Sequence, residues 1–134
     1  MGFEELKIGQ SYELSRSFSQ QDIIDFAKLS GDTNPIHMDA AYAHGSQFGQ
    51  LIVPGFLTTS LFSAIIGARF PGSGSIYLSQ DVSFWKPVYP NQMVTARVTV
   101  RELFAERHRV LLETCCYDEN HETLISGTAL VKVP

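Results

Sequence analysis

From residue 93 to its end the chain alternates apolar and polar side chains with few interruptions. Met93 to Leu103 sets Val94, Ala96, Val98 and Val100 against Thr95, Arg97, Thr99 and Arg101, the period of two expected of a half-buried strand. Arg107 to Tyr117 repeats the pattern through Val110, Leu112 and Thr114; a turn occupies Asp118-Glu119-Asn120-His121, and Glu122 to Val133 makes another strand. Upstream, Ser75 to Trp85 alternates from Ile76 to Phe84 until Lys86-Pro87-Val88-Tyr89-Pro90-Asn91 breaks it. Near the N-terminus a turn at Ile8-Gly9-Gln10 leads into one more alternating run, Ser11 to Phe18.

Between these strands the period changes to that of a helix. Ser19 is a good N-cap with Asp22 as its capping-box partner, and Phe18 can staple onto Ile23. Ile23, Phe26, Ala27 and Ser30 then share one face until Gly31 closes the helix as a left-handed cap. Asn34 before Pro35 reads as a second helix start, a short helix through Ala40 to Ala43 stops at Gly45, and Ser46 to Val53 is loop. Phe56 to Arg69 is the longest helical pattern, with Leu57, Leu61 and Ile65 on one row and Phe62 and Ile66 beside it. Its polar residues are small hydroxyls and it carries no charge before Arg69, so it is expected to be covered on most sides. Strands joined by short turns, with one long apolar helix, predict an α+β fold in which an antiparallel sheet encloses that helix. At 134 residues, 1–134 is expected to form a single domain.

Composition narrows the functional classes. A net charge of −4 gives no general attraction to nucleic acid or an anionic membrane. The most apolar stretch, Phe56 to Ile66, is too short to span a bilayer, and the acidic N-terminus does not resemble a signal peptide. The two cysteines, Cys115 and Cys116, are adjacent, and neighbours on a strand face opposite ways. A disulfide framework is therefore not expected, and a reducing cytoplasm fits best.

The chemistry concentrates in Gly31-Asp32-Thr33-Asn34-Pro35-Ile36-His37-Met38-Asp39. Between positions 32 and 37 it places a carboxylate, a carboxamide and an imidazole where one helix stops and another starts. Asp32 falls on the connecting loop, free to face a cavity. His37 falls at the third helical position, where the positive end of the helix disfavours imidazolium and suits the ring to accept a proton. Two proton-handling groups on one short turn are what addition or elimination of water requires. By residue type alone the same set serves equally as turn and cap.

Asp32-Thr33-Asn34-Pro35-Ile36-His37 resembles the hydratase motif of the MaoC-like dehydratases, and Ile52-Val53-Pro54-Gly55-Phe56 and Gly74-Ser75-Ile76-Tyr77-Leu78 resemble the segments that follow it there. The resemblance runs over essentially the whole chain, and Ser60-Leu61-Phe62-Ser63 points to the bacterial (R)-specific enoyl-CoA hydratases. It implies a hot-dog fold, a homodimer with an acyl-thioester tunnel near the subunit interface, and reversible syn hydration of trans-2-enoyl-CoA to (R)-3-hydroxyacyl-CoA. By position it implies that Asp32 and His37 hold the catalytic water and Asn34 supports the loop. Gly55 would be the backbone donor to the thioester carbonyl, and Ser63 would lie beside the substrate. No cofactor or metal is implied. Many family members have His before the glycine where this chain has Pro54, a difference that bears on the local loop and on substrate preference.

Three other readings keep the same fold: dehydration of 3-hydroxyacyl groups on carrier protein, acyl-CoA thioester hydrolysis, and non-catalytic binding of acyl thioesters. The apolar residues of the long helix, with Phe84, Trp85 and Tyr89, exceed what one small sheet needs to cover and predict edge-to-edge pairing of two sheets. Ala64 and Gly67 leave room beside the helix for short to medium acyl chains; were only a four-carbon substrate accepted, Phe62 or Phe70 would be the residue that closes the tunnel.

Overall fold

All four α-helices precede residue 69, and five of the six strands follow residue 75. The computed structural model describes residues 1–134. β1 (Ser11–Arg16) leads into α1 (Gln20–Ser30), α2 (Pro35–Met38), α3 (Ala40–His44) and α4 (Gly55–Ala68). β2 (Ile76–Gln80), β3 (Ser83–Phe84), β4 (Val94–Phe104), β5 (Arg109–Tyr117) and β6 (Thr123–Lys132) complete the chain. The strands form one antiparallel sheet in the order β1-β4-β5-β6-β2, with β3 paired to β6. This is the expected α+β arrangement, and no helix is long and apolar enough to cross a membrane.

The alternation seen in the sequence becomes the inner face of the sheet. Val94, Ala96, Val98 and Val100 of β4 and Val110, Leu112, Thr114 and Cys116 of β5 are all buried. Their registers put Ala96 opposite Cys116, Val98 opposite Thr114 and Val100 opposite Leu112. α4 lies against β4 and β1, burying Leu61, Phe62, Ile65 and Ile66. Each such side chain contributes roughly 1.5–3 kcal/mol relative to exposure, so this seam fixes where α4 begins and ends. Cys115 faces outward and half-buried while Cys116 faces the core, and both thiols are free. Burial pushes both thiols up, that of Cys116 to about 12.

On the outer face, Arg97 of β4 donates to Glu13 of β1 at 3.0 Å, Tyr117 of β5 donates to the same carboxylate, and the guanidinium lies 5.6 Å from the Tyr117 ring centroid. The Tyr117 hydroxyl, then Arg97, hold the Glu13 carboxyl below its usual range. In so exposed a setting this network aligns three strands more than it stabilises them.

Two expectations are corrected. α4 is not covered on most sides: Phe56 is 69% exposed, and Ser60, Ser63, Ala64 and Gly67 share its open stripe. The missing charge reflects small residues on that stripe, not enclosure by the chain's own sheet. Nor is Ser75 to Trp85 one strand. It divides at Asp81, whose carboxylate accepts from the Thr128 N–H at 3.1 Å and hydroxyl at 2.6 Å and whose own N–H donates to the Thr128 carbonyl at 3.0 Å. These bonds replace the next ladder step and let the chain restart as β3.

The break depends on Gly127. A Cβ there would sit 1.9 Å from the Asp81 carbonyl oxygen, a backbone clash that only displacement of the strand can relieve. Gly127→Ala is expected to lower unfolding stability by roughly 2–4 kcal/mol, measured by urea titration. A change below about 0.5 kcal/mol, the scale of ordinary surface substitutions, would show that the crossing is not constrained.

Candidate active site

The end of α1 positions the first site residue. Ser19 and Asp22 form the reciprocal capping box, and Gly31 ends the helix at φ 81°, as the sequence predicts. The Ser30 hydroxyl donates to the Phe26 carbonyl at 2.7 Å and accepts from the Asp32 N–H at 3.0 Å. Ser30 is thus not an inward-facing helix residue but the anchor of the loop that presents Asp32. One Asp32 carboxylate oxygen accepts from the Asn34 N–H at 3.3 Å, bracing the side chain from the following turn.

α2 positions the second. Asn34 caps it through a 3.2 Å bond from the Ile36 N–H to its side-chain oxygen, Pro35 occupies the first position, and His37 is the third residue of a four-residue helix. The His37 ring is buried, at 8% exposure, and its Nδ1 lies 2.8 Å from the Ile52 carbonyl oxygen. A carbonyl only accepts, so Nδ1 carries the proton and Nε2 of the neutral ring is left as an acceptor. This contact, not the dipole of so short a helix, selects the tautomer. Gln20 of α1 donates to the His37 carbonyl at 3.0 Å, locking α2 to the start of α1.

Asp32 and His37 open onto one cavity of about 400 Å³, whose walls include Gly55, Thr58, Phe84 and Trp85. Gly55 is the first residue of α4, after the buried cap Pro54, so its N–H has no acceptor within the helix. Its missing side chain matters: a Cβ would lie 2.5 Å from Cε1 of Phe84. The Phe84 ring covers the glycine and meets Phe56 edge-on at 5.8 Å. An N–H at a helix start, beside apolar rings, is suited to stabilise charge developing on an oxygen. At the rim, Lys86 is ion-paired with Glu122, whose hydrogen bond raises the lysine pKa.

The structure therefore brings Asp32, His37 and Gly55 to one cavity and leaves the other two candidates off its walls. The Asn34 side chain is exposed and caps α2. Ser63 lies on the open stripe of α4. Phe62 and Phe70 belong to the core, and Phe56, Phe84 and Trp85 bound the cavity. Sequence reading missed the Ile52 carbonyl, since a backbone acceptor has no residue signature. It also passed over Thr58, whose only signal was a hydroxyl one helical turn beyond Gly55.

Comparison with known proteins bears on the family and the fold. Residues 4–115 match the family model described as MaoC like domain. The chain is 40% identical, over 134 residues and the full length of both sequences, to an (R)-specific enoyl-CoA hydratase of Aeromonas caviae. The crystallised (R)-hydratase of A. caviae, described as involved in PHA biosynthesis, superposes with a TM-score of 0.95 at 40% identity, covering 98% of this chain and 99% of that one. A mitochondrial 3-hydroxyacyl-(acyl-carrier-protein) dehydratase of Solanum lycopersicum is 36% identical over 96% of this chain and 78% of its own length. The sheet and central helix are thus those of the hot-dog hydratases.

Trp85 is the only tryptophan. It stands on the cavity wall beside Phe84, its indole N–H 2.9 Å from the Ser126 hydroxyl. Gly55→Ala is expected to displace the Phe84 ring and shift Trp85 emission in the ligand-free protein, read by steady-state fluorescence. An unchanged spectrum would mean that the ring does not rest on the glycine.

Proposed function

The chain belongs to the MaoC-like dehydratase family, and on that premise we propose that it catalyses the reversible, (R)-specific hydration of trans-2-enoyl-CoA to (R)-3-hydroxyacyl-CoA. The observation that carries this reading is the shared cavity: a carboxylate, Asp32, and an imidazole, His37, on one wall, with the free N–H of Gly55 on another. The family acts on 3-hydroxyacyl thioesters in this hydration or dehydration sense, and a site with two proton-handling groups and a helix-start donor supplies what that chemistry needs.

The thioester carbonyl accepts from the Gly55 N–H, which draws electrons from C3. Water held between Asp32 and His37 Nε2 gives up one proton to these two residues as its oxygen bonds to C3, and the C2–C3 π electrons move toward the carbonyl. A proton delivered from the two residues to C2 completes the addition and restores the thioester. Both new bonds form on the face that carries the pair, so addition is syn. Negative charge gathers on the thioester oxygen where the helix start can stabilise it. Asn34 supports the loop from outside as the cap of α2. Ser63, on the open stripe of α4 and off the cavity wall, would lie beside the acyl chain of a substrate that runs near a subunit interface. The cytoplasm is the compartment we propose, in keeping with two unpaired thiols.

The same geometry suits dehydration of carrier-protein thioesters, which the tomato relative favours; matched CoA and carrier-protein substrates separate the two by their kcat/KM. A thioesterase would release free thiol, and a binding module would leave the enoyl absorbance unchanged. Crotonyl-CoA is expected to lose its enoyl absorbance and yield the (R) alcohol on chiral analysis. Asp32→Asn and His37→Gln are each expected to cost on the order of 10²–10⁴-fold in kcat. Failure of the wild type to turn over, or an (S) product, overturns the reading.

We also propose a homodimer. β2 is a sheet edge with Ile76, Tyr77 and Leu78 exposed, and the small-residue stripe of α4 is open; pairing two copies along β2 covers the apolar edge and removes it from solvent. Light scattering at micromolar concentration is expected to give twice the chain mass, and Leu78→Lys to shift it toward one. A stable, fully active wild-type monomer refutes the assembly.

A further inference from the structure

Thr58 is 1% exposed, and its hydroxyl is buried without any hydrogen-bond partner. A buried donor left unmatched destabilises the fold that contains it, so its persistence needs a reason. The common escape for a helical threonine, a bond to the carbonyl three or four residues back, is not taken. Neighbouring hydroxyls do take it, Thr59 bonding to the Phe56 carbonyl and Ser60 to the Leu57 carbonyl.

Position supplies the reason. Thr58 stands three residues after Gly55, hence on the same face of α4. Helical side chains lean toward the N-terminus, so this one covers the first turn, where the Gly55 N–H is exposed. Thr58 and Gly55 line the same cavity, and Leu61 and Phe62, the next buried residues along α4, belong to the apolar core. A ligand bound in the cavity brings the acceptor that the protein does not supply.

We propose that the Thr58 hydroxyl is a second donor to the thioester carbonyl oxygen, acting with the Gly55 N–H as charge develops there. This rests on the hydratase reading above and adds a catalytic residue to it. The unmatched donor is then preorganised: its partner arrives with the substrate, and no protein bond must break for it to act.

Two conservative variants and two readouts test this. Thr58→Val removes the hydroxyl at nearly constant shape, and Thr58→Ser keeps it. Thr58→Val is expected to lower kcat on the order of 10²-fold, as loss of one such donor does, with KM changed less than threefold and a melting temperature no lower than wild type. Thr58→Ser is expected to recover most of the rate. The carbonyl stretch of bound butyryl-CoA, a saturated thioester that cannot be hydrated, is expected to move toward its free frequency in Thr58→Val by infrared difference spectroscopy. A Thr58→Val kcat within twofold of wild type, a loss confined to KM, or an unshifted carbonyl band overturns the proposal. The infrared arm needs no turnover, so a wild type that polarises the carbonyl but hydrates nothing defeats the hydratase reading and leaves this one standing.

Discussion

Two consecutive residues of loop backbone hold the site together. The Ile52 N–H donates to the Ile36 carbonyl at 3.3 Å, the Ile52 carbonyl accepts from His37 Nδ1 at 2.8 Å, and the Val53 N–H donates to the Val88 carbonyl at 2.7 Å. The first two bonds clasp the turn carrying His37, the third ties the same strand of loop to the segment after β3, and Pro54 then starts α4. Backbone groups buried in this way must be paired, so the turn, the loop and the helix start cannot shift independently. His37 and Gly55, eighteen positions apart in the chain, share one cavity because these three hydrogen bonds leave the loop between them no slack. The apolar seam under α4 fixes the far side of the arrangement, since the residues that bury it also set the axis along which the Gly55 N–H points.

What could be read from the sequence was whatever carries a side-chain signature. The Ser19 and Asp22 box, the Gly31 cap and the Asn34-Pro35 start each require particular residue types, and together they place Asp32 and His37 on adjoining turns. The alternating strands after residue 93 were legible for the same reason, because one face of the sheet is buried and the pleat enforces the period. Three features were not legible. The His37 tautomer is set by a carbonyl, which every residue possesses. The break at Asp81 depends on Thr128, far along the chain, and on the space above Gly127. The openness of α4 could not be told from enclosure, since Ser60, Ser63, Ala64 and Gly67 suit an uncovered stripe and a tight contact alike. Asn34 and Ser63 belong to the same lesson: a motif identifies positions, whereas the fold decides which of them face the cavity.

The site is also where the fold tolerates unfinished bonding. The Gly55 N–H and the Thr58 hydroxyl have no partner in the protein, and His37 presents one ring nitrogen after committing the other. Other polar groups are matched within the fold, as where Gln80 reaches the buried Thr114 hydroxyl at 2.9 Å and Asp81 accepts from both donors of Thr128. Gln20, Ser75, Arg97 and Arg109 also each leave a buried polar atom unpaired, away from the cavity. Donors and acceptors left unmatched around a single cavity cost stability that the rest of the core must offset, and in return they face the reacting atoms without first having to leave another partner.

The contact between Phe84 and Gly55 separates two inheritances. Gly55 belongs to the helix that carries the donor. Phe84 belongs to a two-residue strand held only by its pairing with β6, outside the turn that carries Asp32 and His37. The breadth of the cavity is therefore set by a ring whose replacement leaves the reacting groups where they are, so descendants of this scaffold are free to change the size of what they admit while keeping what they do to it.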